Sequence, residues 1–167
     1  MIHYRPAVPE DAEALWAMFL ALDEETDFMM YAPGERSART DIARLCAGLE
    51  RTRARGDLLE LALDGETPVG FLHAERGGFQ RNAHCAGIVI GIRAAWRRQG
   101  IGTALFREAE RWAGENGVTR LELTVECPNL AAQALYKRCG FRVEGTRVHS
   151  MRVGGQYVDE YYMAKLL

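Results

Sequence analysis

Apolar and polar positions along this chain follow two periods, and the places where one gives way to the other mark out its elements. Residues 2–5 read as a short strand stopped by Pro6. From Pro9 to Leu22 the apolar residues Leu15, Phe19 and Leu22 recur at helical spacing, with Pro9 in the first turn. Residues 23–37 follow neither period and contain Pro33-Gly34, which predicts a long surface loop. Thr40 to Arg55 reads as a second helix ended by Gly56. Leu58–Leu63 and Val69–Glu75 flank the turn-rich Asp64-Gly65-Glu66-Thr67-Pro68, the pattern of a hairpin. After Gly77-Gly78, residues 83–92 form the next strand, and a helix from Gly100 to Asn116 carries Ile101, Leu105, Ala109 and Trp112 on one face. Leu121, Leu123 and Val125 alternate with Glu122, Thr124 and Glu126, giving a strand with two chemically different faces. A short helix over Leu130–Arg138 stops at Cys139-Gly140. Two last strands, 141–149 and 156–166, join through Gly154-Gly155. With no repeat and no linker, residues 1–167 are expected to form a single α+β domain.

Composition narrows the class. At 48% hydrophobic and 26% charged residues the chain can bury a full core. A net charge of −2 argues against a basic face for nucleic acid. No apolar run reaches the roughly 18 residues of a membrane span, and the first residues lack a signal-peptide core. Cys46, Cys85, Cys127 and Cys139 form no CxxC pair and no metal-ligand spacing with histidine. The expectation is therefore a cytoplasmic protein with reduced cysteines and no metal.

The chemistry starts at Arg97-Arg98-Gln99-Gly100-Ile101-Gly102, between an apolar strand (Ile88-Val89-Ile90-Gly91-Ile92) and a helix. The first amides of a helix have no internal partner, and the helix dipole adds positive charge there, so such a turn cradles phosphate. The hexapeptide lacks the Lys-Ser/Thr of a P-loop and the early βαβ unit of a dinucleotide fingerprint. It points to a phosphate-bearing ligand without saying which.

A second motif supplies the owner: Asn129-Leu130-Ala131-Ala132-Gln133-Ala134-Leu135-Tyr136, running on to Gly140-Phe141. Together with the glycine turn it resembles the GCN5-related N-acetyltransferase (GNAT) superfamily, whose members show (Q/R)xxGx(G/A) followed by NxxAxxLYxxxGF. Arg5-Pro6-Ala7 resembles the family's opening. Gly154-Gly155-Gln156-Tyr157-Val158-Asp159-Glu160 resembles the ending of a branch that includes amino-acid N-acetyltransferases. The resemblance implies a central mixed, mostly antiparallel twisted sheet of about seven strands with about four helices.

It also implies acetyl-CoA as co-substrate, with its pyrophosphate on the amides of Arg98, Gln99, Gly100, Ile101, Gly102 and Thr103, and Arg97 and Arg98 nearby. Ile90, Gly91 and Ile92 would meet the pantetheine arm through backbone groups, and the Ile90 N–H would stabilise the oxyanion. Asn129 can cap its helix, touch the coenzyme, or both, and Ala132 is small enough to let the coenzyme pass. Tyr136 is the expected general acid to the departing thiolate, because a phenol is neutral at pH 7 and donates well.

The base is open. Many relatives carry a carboxylate upstream of the pantetheine contacts, where this chain reads His84-Cys85-Ala86-Gly87-Ile88. Glu126 is the first substitute, with His84 and Asp159 or Glu160 as the others. The acceptor wall is expected around Glu25, Asp27, Phe28 and Tyr31, where acidic and apolar groups adjoin, with His84 and Asp159 as further substrate-side candidates. The expected reaction is direct attack by a small-molecule amine, such as an amino acid, in a ternary complex. A protein or peptide acceptor, or a non-catalytic acetyl-CoA sensor, are the alternatives. The C-terminal strands of such folds often build dimers, so a homodimer partner is allowed.

Overall fold

The computed structural model describes residues 1–167. The strands are β1 Ile2–Pro6, β2 Leu58–Asp64, β3 Thr67–Arg76, β4 Cys85–Ile92, β5 Arg120–Glu126, β6 Arg142–Val153 and β7 Gln156–Leu166. The helices are α1 Ala12–Glu25, α2 Glu35–Arg39, α3 Ile42–Arg55, α4 Ile101–Glu115 and α5 Leu130–Arg138. Strand order is β1-β2-β3-β4-β5-β7-β6. The β4–β5 ladder is parallel, pairing Cys85 with Arg120, while β1–β2, β2–β3, β5–β7 and β6–β7 are antiparallel. This is the mixed, mostly antiparallel seven-stranded arrangement expected for the chain, with α2 as an additional short helix.

The chain divides into two compact units, residues 1–75 with 89–109, and residues 76–88 with 110–167; β4 and α4 each run from one into the other. In the first unit, α1 presents Leu15, Met18, Phe19 and Leu22 to Leu49 of α3 and to Leu61, Leu63 and Phe71 of the β2–β3 hairpin. Phe19 and Phe71 meet edge to face at 5.0 Å, a favoured geometry for aromatic quadrupoles. Asp41 caps α3 by accepting from the Arg44 N–H at 2.8 Å, and Gly56 closes the helix at φ +70°, where glycine alone is unstrained.

In the second unit, Leu121, Leu123 and Val125 of β5 are buried, as are Met163 of β7 and Phe141. Lys165 of β7 reaches Glu110 at 2.6 Å. Between Arg147 and Met151, β6 carries Val148, His149 and Ser150 where β7 has Asp159 alone, a bulge that makes β6 longer than the expected 141–149.

Two expectations are corrected. The loop over 23–37 is shorter: Asp23 to Glu25 complete α1, and Glu35–Arg39 form α2. The reason is a long-range ion pair between Asp23 and Arg36, which no local period reveals. The strand expected from residue 83 begins at Cys85, with His84 in the preceding turn. His84 gives its carbonyl to the amides of Thr119 (2.9 Å) and Arg120 (3.1 Å), at the start of β5.

Candidate functional site

In the first unit, β4 leads through a 3-10 turn (Ala94–Trp96) into residues 97–100 and then α4. Arg98 adopts φ +62° and Gly100 φ +81°. Arg97 before them is extended, so the backbone changes direction sharply on its way into α4; runs of N–H groups brought together by such turns favour anions. The α4 ladder opens with Ala104 N–H to Gly100 O at 3.0 Å, so the amides of Ile101, Gly102 and Thr103 lie ahead of it.

The side chains here brace the turn. Arg97 donates through Nε to the Ile92 carbonyl at 2.9 Å, and Gln99 donates to the Ala95 carbonyl at 3.1 Å. Glu25, from the end of α1, accepts from Arg93 Nε at 2.8 Å and from the Ala94 N–H at 2.7 Å. Burial pushes the Glu25 carboxyl up, but the Ala94 amide and the Arg93 guanidinium outweigh it and hold the group below its usual range. Both oxygens of Glu25 thus fasten α1 to the start of the turn.

Gly91 stands where a methyl group would lie 2.7 Å from the Phe71 ring and 3.2 Å from Leu22. The core of this unit therefore demands glycine there. Ile90 and Ile92, its neighbours on β4, are half-buried.

The expected acceptor residues of this unit lie at and after the end of α1. Asp27 is exposed, and so are Phe28 (42%) and Met30 (74%). Tyr31 is half-buried, because the Arg36 guanidinium lies 4.6 Å from its ring centre and 4.8 Å from that of Phe19. Arg36 grips Asp23 with both ends of its fork, at 2.6 and 2.9 Å. One sequence signal could have exposed this pair. Asp23 falls one turn beyond Phe19 and two beyond Leu15 on the apolar stripe of α1, and a carboxylate on a core stripe requires a buried partner.

In the second unit, Asn129 caps α5, its Oδ1 accepting from the Ala132 N–H at 3.2 Å. Gln133 secures the same corner by donating to the Cys127 carbonyl at 2.7 Å. Asn129 N–H in turn reaches the Glu126 carbonyl at 2.8 Å, so β5 passes into α5 through a tightly bonded turn. Tyr136 is 8% exposed, with its ring 6.1 Å from that of Phe141. Burial, aided by the nearby Cys139, pushes its phenol up to about 12, so it stays protonated across the physiological range.

Glu126 and Glu160 are both buried and stand directly opposite on β5 and β7. Arg147 of β6 donates to Glu160 at 3.0 Å. Asp159 joins this corner through two bonds: its carbonyl accepts from the Cys127 N–H at 2.9 Å, and its Oδ1 from the His149 N–H at 2.7 Å. The second unit thus gathers Glu126, Asn129, Asp159 and Glu160 at one end of β5. His84 sits at the other end, six residues away along the strand, about 20 Å at extended spacing. No group of three or more His, Cys, Asp or Glu side chains is arranged to hold a metal ion, and no helix is long and apolar enough to cross a membrane.

Comparison with known proteins identifies the family. The model of the acetyltransferase (GNAT) family matches residues 16–141. An L-amino acid N-acetyltransferase of Escherichia coli, AaaT, is 35% identical over 123 residues, covering 70% of this chain and 74% of the relative. A GNAT-family acetyltransferase from Streptococcus pneumoniae superposes with a TM-score of 0.94 at 28% identity, over the full length of both chains. A phosphinothricin acetyltransferase from Sinorhizobium meliloti, solved in complex with acetyl-CoA, shares the fold at a TM-score of 0.87 and 18% identity, covering 99% and 88% of the two chains. The chain belongs to the GNAT family and is an acetyl-CoA-dependent N-acetyltransferase.

Proposed function

We propose that this enzyme moves the acetyl group of acetyl-CoA to the primary amine of a small molecule, with α-amino acids as the leading class. The observation that carries the acceptor class is the 35% identity with an L-amino acid N-acetyltransferase. The reaction is direct attack by the amine nitrogen on the thioester carbon in a ternary complex, which forms the amide C–N bond and releases coenzyme A as the thiol.

Each residue has a role in this reading. Amides of the Arg98–Thr103 turn hold the pyrophosphate, supported by the left-handed geometry at Arg98 and Gly100. Backbone groups of Ile90 and Ile92 bind the pantetheine arm, and the Ile90 N–H meets the negative charge that develops on the thioester oxygen. Tyr136 hydrogen-bonds the departing sulfur. A phenol held near 12 is a weak acid but a constant donor, so its contribution is greatest where thiolate charge builds. Glu126 accepts the proton that the ammonium must lose, through water, before the nitrogen can attack. Asp27, Phe28 and Tyr31 form one wall for the acceptor.

The test is coenzyme A thiol release with a panel of free amino acids, simple amines and short peptides with free N-termini. Turnover of amino acids is the expected result. Turnover of peptides alone would replace the acceptor class, and acetyl-CoA binding without turnover on any amine would make the chain a sensor.

A further inference from the structure

The connection from β4 to α4 holds a strained residue, Arg98 at φ +62°, and such a residue persists only where its surroundings over-determine it. Two ties are internal to the connection: Arg97 to the Ile92 carbonyl and Gln99 to the Ala95 carbonyl. Two others come from distant parts of the chain. Trp96 donates through Nε1 to Asp64 at 3.2 Å, a single bond to a carboxylate that is 45% exposed. Glu25 is the stronger tie. It is 24% exposed, and it accepts from a guanidinium at 2.8 Å and from a backbone amide at 2.7 Å. Two short bonds to a partly buried carboxylate outweigh one long bond at the surface.

By charge alone Glu25 is misplaced. Its carboxylate is attracted by both Arg93 and Arg97, so it offsets cations that would otherwise draw a phosphate to this turn. What it supplies instead is geometry. The Ala94 N–H that it accepts lies at the head of the 3-10 turn leading to Arg97 and Arg98. The end of α1 therefore fixes the direction in which the backbone enters the segment whose amides precede α4.

We propose that Glu25 is a positioning residue for the coenzyme: by gripping Arg93 and the Ala94 amide it holds the backbone of residues 97–103 in the shape that receives the pyrophosphate. The inference rests on the reading of that turn given above and extends it to a side chain outside the turn, 68 residues from Arg93 along the chain. Geometry and charge predict opposite signs. Glu25→Gln removes the charge and sets an NH2 donor against one of the two donors that Glu25 now satisfies. Glu25→Asp keeps the charge but withdraws the carboxylate by one methylene from both.

Isothermal titration with coenzyme A, and hydrogen–deuterium exchange on the free protein, test it. In both variants the Ala94 amide exchanges about tenfold faster or more, and Kd for coenzyme A rises about tenfold, the weight of one bond to a charged group. As acetyl donor, S-acetylpantetheine lacks the pyrophosphate, so its kcat/KM moves less than about twofold while that of acetyl-CoA falls about tenfold. Tighter coenzyme A binding by Glu25→Gln, or unchanged binding by Glu25→Asp, overturns the proposal in favour of charge. Equal losses with the two donors overturn it in favour of a merely structural role. Gly100→Val tests the underlying reading separately: Gly100 stands at φ +81° with nothing within 4 Å of an added Cβ, and a β-branched residue does not keep that φ. If Gly100→Val binds coenzyme A as the wild type does, the turn does not hold the pyrophosphate and both readings fall. Weak binding by Gly100→Val beside wild-type binding by the Glu25 variants removes Glu25 alone. Should Glu25→Gln lose its cooperative melt, Glu25→Asp, which keeps a charge facing Arg93, carries the same comparisons.

Discussion

Gly91→Ala separates what the coenzyme would ask of β4, in the reading proposed above, from what the core asks. A methyl group at this position would stand 2.7 Å from Phe71 Cε1 and 3.2 Å from Leu22 Cδ1. Carbon atoms attract best at roughly 3.5–4.0 Å, so both contacts are repulsive, the first strongly. Phe71 is 4% exposed and Leu22 1%, and the Phe71 ring is held edge-on to Phe19. Neither side chain can swing into solvent, so strand, ring or helix must shift. Overpacking of this kind costs about 1–3 kcal/mol. For a chain of this length each kcal/mol moves the midpoint by about 2–4 °C, so Tm falls by about 2–12 °C. Thermal melts followed by circular dichroism, with urea titrations to confirm an unchanged m-value, measure it.

A double-mutant cycle isolates the cause. Phe71→Leu removes the ring that the new methyl would strike, so the double variant loses less stability than the sum of the singles, by about 1 kcal/mol or more. A Gly91→Ala protein that melts at the wild-type temperature but binds acetyl-CoA poorly would refute this reasoning. It would mean that the glycine serves the ligand and that the core yields without cost.

Two further outcomes are expected. Tyr136→Phe lowers kcat for coenzyme A release by about 100-fold or more with the melt little changed, and a loss below about threefold rules out proton or hydrogen-bond donation by the phenol. Glu25 titrates lower in the folded chain than its ordinary 4.5, so between the two values the unfolded chain binds more protons. Its stabilisation is thus complete above about pH 4.5 and is lost as pH falls through the lowered value; urea titrations between pH 3 and 6 give a flatter acid limb for Glu25→Gln, and an unchanged limb removes Glu25 from the brace.

The elements that are legible in the sequence are those whose causes are local. Gly56 and Gly117 end helices in the left-handed region at φ +70° and +69°, and Gly65 turns the β2–β3 hairpin at +61°. Each is a glycine followed by a change of period, so each is visible in the chain. The Asn129 cap is likewise a contact three residues long. Asp23 and Arg36 are thirteen residues apart, and the register that sets Glu126 against Glu160 spans most of the C-terminal third. Pairings of that kind are fixed by tertiary packing, and no window along the sequence contains both partners. Arg98 illustrates a different limit. It adopts φ +62° without being glycine, asparagine or aspartate, so composition gives no warning of a left-handed residue inside the turn before α4.

The same division explains why the donor of this enzyme is easier to read than its acceptor. A pyrophosphate is held by backbone amides, and aiming amides requires only a turn of a certain shape, which a few consecutive residues encode. An acceptor is chosen by side chains, which need not be neighbours in the sequence. Chains with quite different side chains can share one fold, as the Sinorhizobium enzyme and this chain do at 18% identity. In the reading proposed above, substitutions that reshape Arg98–Gly100 are expected to slow every acceptor alike, because all of them wait on the same thioester.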